Sequence, residues 1–121
     1  MSTKNTVPTT TTTTTTTAPQ PANSISEATL RNACQMAIKE DKPIMMDYYL
    51  SSFEGGLQRP DGSTEKAVMG LRSNNEKMLV KSPDEYTSTI SKLFKCGKEY
   101  IVHTENSIYI VSAQIKTIQV Q

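Results

Sequence analysis

Between Met78 and Val111 the chain alternates apolar and polar residues between turn formers, a period of two that suits pleated strands and not a helix. The pattern is clearest at its end. Glu99 to Thr104 and Ser107 to Val111 form two alternating runs joined by Glu105 and Asn106, a connection of hairpin length in which Asn106 tolerates a positive φ. Upstream, Lys66 to Arg72 and Lys77 to Lys81 flank Ser73, Asn74, Asn75 and Glu76, and predict a second hairpin. Thr87 to Lys95 carries Thr89, Ile90, Leu93 and Phe94 and reads as a further strand. Ile44, Met46, Tyr48 and Leu50 alternate with Met45, Asp47 and Tyr49 and predict another. Ile115, Ile118 and Val120 either extend the sheet or fray.

One helix is expected before these strands. Leu30, Ala33, Cys34, Ala37 and Ile38 follow the i, i+3, i+4, i+7, i+8 spacing of a single apolar stripe, which places a helix from Ser26 to about Lys39 with Cys34 in the core. Ser26 suits the N-cap, with Ile25 and Leu30 as a hydrophobic staple, while Ser24 with Glu27 offers an alternative capping box. Pro43 stops the helix because the residue before a proline is pushed out of helical geometry. One helix followed by five or six short strands predicts an α+β fold, the helix lying against a curved antiparallel sheet or a small, partly open barrel.

The first 24 residues stand apart. Thr9 to Thr17 is an unbroken run of nine threonines flanked by Pro8, Pro19 and Pro21, with Lys4 as the one charged side chain. Such a segment buries too little apolar surface to offset the entropy of ordering it, so residues 1–24 are expected to be a disordered tail and residues 25–121 a single domain. The threonine run itself reads as a spacer, a tether or an O-glycosylated stalk. Ser51 to Glu65, with Gly55, Gly56, Pro60, Asp61 and Gly62, has no period of its own. It is either a plain hairpin connection or a binding loop using Phe53 and Arg59.

The residues offer little chemistry. His103 is the sole histidine, which handicaps a catalytic triad or a multi-histidine metal site; alternation places it with Ile101, as an ordinary sheet-surface or half-buried side chain. Cys34 and Cys96 lie in separate elements without ligand spacing, and two cysteines so far apart suit a reducing compartment better than a secreted disulfide framework. Gly55-Gly56 lacks the Gly-Lys-Ser/Thr of a phosphate loop. With 13 basic and 12 acidic residues the net charge is +1, so any nucleic-acid or anionic surface contact needs a local patch. No run approaches the roughly 20 apolar residues of a membrane span, and the polar amino terminus lacks a signal-peptide core. No cofactor and no membrane contact are expected.

Three phrases carry a resemblance. Met78-Leu79-Val80-Lys81-Ser82-Pro83-Asp84-Glu85-Tyr86-Thr87-Ser88, Glu99-Tyr100-Ile101-Val102 and Thr104-Glu105-Asn106-Ser107-Ile108-Tyr109-Ile110-Val111 resemble small proteins of giant nucleocytoplasmic large DNA viruses, mimivirus-like in style, as does a threonine tract beside a lysine- and asparagine-bearing domain. The resemblance spans about a third of the chain and supplies no catalytic residue. It implies a viral protein in host cytoplasm or packaged in the virion.

The residues together predict a non-enzymatic interaction or structural protein with a protein partner or self-association. Phe53, Arg59, Ile115 and Ile118 are the expected contacts, Ile115 and Ile118 by strand addition. The alternative is a small barrel binding single-stranded nucleic acid through Lys92, Lys95, Tyr100 and Tyr109.

Overall fold

The computed structural model describes residues 24–120, so the threonine run and most of the expected tail lie outside the described residues. Within that span the fold is α+β and mostly β. Helix α1 is Glu27–Glu40, and the strands are β1 (Ile44–Met45), β2 (Leu57–Gln58), β3 (Thr64–Glu65), β4 (Val68–Leu71), β5 (Lys77–Ser82), β6 (Glu85–Tyr86), β7 (Lys92–Cys96), β8 (Glu99–His103), β9 (Ile108–Ser112) and β10 (Thr117–Gln119). These ten short strands form two four-stranded sheets, ordered β1-β9-β8-β7 and β10-β4-β5-β6, and a β2-β3 ribbon. No barrel closes. Each sheet is mixed, because β1 joins β9 and β10 joins β4 in parallel while the other pairs are antiparallel.

Three layers result. The hairpin β8-β9 is the middle one, and its period of two is used on both sides. Val102 and Val111 face the second sheet and cluster with Met69 and Leu79, whereas Ile101, Ile108 and Ile110 face α1 and cluster with Ala33. Both expected hairpins are present, with Ile101 opposite Ile110 in one and Met69 opposite Leu79 in the other. Positive φ falls on Asn75 in the β4-β5 turn, at 71°, and on Asp41; Asn106 is not among the non-glycine residues with that geometry.

Helix α1 begins where expected, with Ser26 Oγ accepting from Thr29 N–H, and stops before Pro43 at a left-handed Asp41. Its rotation differs. Thr29 and Ala33 are buried, while Leu30, Cys34 and Ile38 of the expected stripe face outward, Ile38 at 83% exposure. Cys34 is therefore a surface thiol and not a core residue. Two contacts set this rotation: the Thr29 hydroxyl bonds Glu99 on β8, and the single methyl of Ala33 lets the helix approach the isoleucines of the middle sheet.

Two stretches depart from the expected pattern. The run from Ile44 to Leu50 is strand only to Met45; it then turns, sending Tyr48 into the inter-sheet core and Tyr49 into the helix-side core, and enters a 3-10 turn at Leu50–Ser52. Buried Ser52 Oγ accepts from Ser112 N–H at 2.7 Å, which fixes that turn to the end of β9. Ser51 to Glu65 is more ordered than its composition indicates, since Leu57 pairs with Glu65 and Gln58 with Thr64.

His103 shares its face with Ile101, as the alternation predicts, but it is buried and neither sheet-surface nor half-buried. Its Nε2 lies 3.3 Å from Met36 Sδ, the Phe94 ring meets it edge-on, and Nδ1 has no partner. Burial, and then the charges of Lys42 and Lys92, push its pKa below the ordinary histidine value against the opposing pull of Glu40.

Candidate functional site: the outer face of the second sheet

The hairpin β8-β9 is covered on both faces, but among the described residues the second sheet is covered on one. Along β4 the inward residues Ala67 and Met69 are buried, which turns Lys66, Val68, Gly70 and Arg72 outward at a spacing of two. Strand register extends that outer face into two cross-strand rows. Ile118, Gly70 and Met78 form one across β10, β4 and β5; Val68, Val80 and Tyr86 form the other across β4, β5 and β6. The result is a groove of about 750 Å³ with an apolar floor, in which Ile118 and Tyr86 are 47% and 54% exposed.

Gly70 gives the groove its shape. A Cβ there would lie 3.1 Å from each of Met78 Sδ, Val80 Cγ2 and Val120 Cγ2, because these side chains already lean over the bare backbone. A larger residue would separate the floor.

The rim is cationic. Lys66, Arg72 and Lys81 line the groove, and no Asp or Glu side chain does among the described residues. Lys81 is balanced, with Nζ 3.4 Å from both Glu65 and Glu85 and 4.5 Å from the centre of the Tyr48 ring. The Tyr48 phenol stays protonated, its pKa pushed up to about 12 by burial and then by Glu85, Asp47 and Tyr109. Lys66 gives its ammonium to the carbonyl of Glu54, but neither Lys66 nor Arg72 forms an ion pair among the described residues. Two uncompensated cations thus stand at the two ends of β4, about 20 Å apart at the rise of an extended strand.

No protein-family model, curated protein or solved structure matches this chain. The site must therefore be read from its own residues. Among the described residues no group of three His, Cys, Asp or Glu side chains gathers to hold a metal ion, and no described helix is long and apolar enough to cross a membrane.

Of the residues singled out in the sequence, Ile118 lies in the groove, while Ile115 is half-buried against the inter-sheet core. Phe53 sits elsewhere, edge-on to Tyr49 with ring centres 5.1 Å apart, on the wall of a cleft beside the start of α1. Arg59 pairs with Glu65 across the β2-β3 ribbon. Lys92, Lys95, Tyr100 and Tyr109 do not converge. Lys92 and Lys95 fall on opposite faces of the edge strand β7, with Lys92 reaching Glu40 at 3.7 Å. Tyr100 and Tyr109 pack against the inter-sheet core, Tyr109 edge-on to Tyr48. Lysines on an edge strand also discourage unwanted pairing, which accounts for both without a ligand.

Lys66, Val68 and Arg72 were not singled out, although the alternation of β4 contains the signal. Both of its half-sets are apolar at the centre, Ala67 with Met69 and Val68 with Gly70. That marks a strand meant to be covered on both faces.

Proposed function

We propose that the protein is a non-catalytic interaction module that docks an acidic, apolar-faced protein segment on the outer face of its second sheet. One observation carries this reading: among the described residues, an apolar sheet face without cover is flanked by two cations that form no ion pair. An apolar floor supplies affinity, and charged rims select partners and speed encounter. Self-association through this face is unfavourable, because a two-fold axis would bring Lys66 and Arg72 of one copy against the same cations of the other. The resemblance to giant-virus proteins directs the search for that partner toward virion and host cytoplasmic proteins.

The test is a titration of the isotopically labelled full chain with a designed peptide carrying leucines on one side and glutamates at its ends, followed by amide chemical shifts. Shifts on β4, β5 and β10 that disappear in Val68→Glu and weaken with salt are expected. Shifts confined to other strands, or a stable homodimer by light scattering that ignores the peptide, would overturn it.

A second reading, single-stranded nucleic acid, is favoured by one observation, the exposed Tyr86 ring beside the same cations. Fluorescence anisotropy with a labelled oligonucleotide decides it. Binding that falls steeply with salt and is lost in Tyr86→Ala would put this reading first.

A further inference from the structure

An acidic, apolar-faced segment of the kind the groove would take is present on this chain. Helix α1 turns Leu30, Cys34 and Ile38 outward, one turn apart. The helical period continues that stripe to Glu27, three residues before Leu30, and to Asp41, the cap three residues after Ile38. Both acidic residues are exposed. One side of the helix therefore carries an acid, three apolar side chains and a second acid. Glu27 pairs with Arg31 on the next turn, and Asp41 forms no ion pair among the described residues.

The dimensions agree. The 14-residue helix rises about 21 Å, against the roughly 20 Å between Lys66 and Arg72. It is about 10 Å across, which is the span of β10, β4 and β5 at the usual strand spacing. A helix also brings its own backbone hydrogen bonds, which β4 could not supply because it is already paired on both edges. The fold makes such a contact once, where α1 lies on Ile101, Ile108 and Ile110. Helix and groove occupy opposite sides of the molecule, α1 outside the middle sheet and the groove outside the second.

We infer that the outward stripe of α1 on one copy docks in the groove of the next, with Glu27 and Asp41 meeting the cations at its two ends. This rests on the docking reading and names the occupant as a second copy of the chain. The contact is head-to-tail, so the two-fold clash of like cations does not arise, and every added copy leaves one groove and one helix free. A footprint of about 10 by 20 Å is well below the roughly 800 Å² per partner of a standard interface, so assembly is weak and rises with concentration.

The experiment follows the mass of the full chain by small-angle X-ray scattering from micromolar to millimolar concentration. Ile38→Asp on the helix and Ile118→Asp in the groove accompany it, both at exposed positions, with amide spectra confirming that each variant folds. The parent mass should climb beyond that of a dimer. Either variant alone should associate at least about tenfold more weakly, because an isoleucine is no longer buried at the contact. Mixed, the two should form an equimolar complex and stop there, since one keeps an intact groove and the other an intact helix. A parent that stays monomeric, or variants that do not pair when mixed, would refute the inference. The designed acidic peptide separates this result from the docking reading: a monomer whose β4 amides shift with the peptide loses the inference alone, and one that ignores the peptide loses both.

Discussion

Thr29 Oγ1 donates to Glu99 Oε1 across 2.7 Å, and so joins the first turn of α1 to the first residue of β8. Both side chains are buried, and the carboxylate lies where the positive end of the helix dipole stabilises it. Thr29→Val keeps the shape and removes the donor. A loss of about 2 kcal/mol is expected, the usual cost of deleting a hydrogen bond to a buried charge. Urea unfolding with an unchanged m-value would measure it. A loss below about 0.5 kcal/mol would mean that Ser26 alone satisfies Glu99.

The histidine on the same sheet face makes stability depend on pH. Because the folded pKa of His103 is depressed, the unfolded chain binds its proton first on acidification. Its contribution is complete above the unfolded value of 6.5 and is lost as the pH falls from there through the folded pKa. The steepest slope is that of one proton, about 1.4 kcal/mol per pH unit. His103→Asn should flatten the unfolding free energy between neutral and mildly acidic pH relative to the parent. Identical slopes would show that His103 titrates alike in both states.

Different roles are expected for neighbouring isoleucines at the carboxyl-terminal strand. Met69 N–H donates to the Lys116 carbonyl at 2.7 Å, Val120 N–H donates to Leu71 at 3.0 Å, and Ile115 packs on the core. Deleting residues 113–121 should therefore destabilise the fold by several kcal/mol, as expected for lost core packing and strand bonds. Ile118→Ser, at a half-exposed position, should cost about 1 kcal/mol or less and act on docking instead. Calorimetry of the two variants separates the roles; equal destabilisation would place Ile118 in the core.

Thiol chemistry reports on the orientation of the helix. Cys34 is exposed, whereas Cys96 is partly covered and accepts from Asn32 Nδ2 at 3.5 Å. An aromatic disulfide reagent should modify one thiol quickly and the other slowly, and Cys34→Ser should remove the fast phase with a stability change within about 0.5 kcal/mol. Two slow phases would mean that the expected stripe faces inward after all.

The local features were readable in advance. Ser26 as N-cap, the stop before Pro43 and both hairpins follow from capping and turn chemistry, each of which acts within a few residues. Facing was harder. Leu30, Cys34 and Ile38 satisfy the helical period, but a buried carboxylate 70 residues from Thr29 decides which stripe turns inward. The parallel edges β1-β9 and β10-β4 join distant segments and leave no local mark. Of the residues that line the groove, Ile118 was singled out in the sequence, as part of the row with Ile115 and Val120 that could supply an added strand. Lys66 and Arg72 were not, since their meaning depends on β10 arriving beside β4 and leaving the outer face bare.

Those parallel edges also bear on how the chain folds. The hairpins β4-β5 and β8-β9 join neighbouring segments and can form early, but Ile44 reaches Ile108 and Thr117 reaches Met69 only after long loops have closed. Until then β9 and β4 each present an unpaired rim of backbone, the surface on which folding chains mispair and which chaperones shield. The two seams, short as they are, make folding a race between intramolecular closure and aggregation.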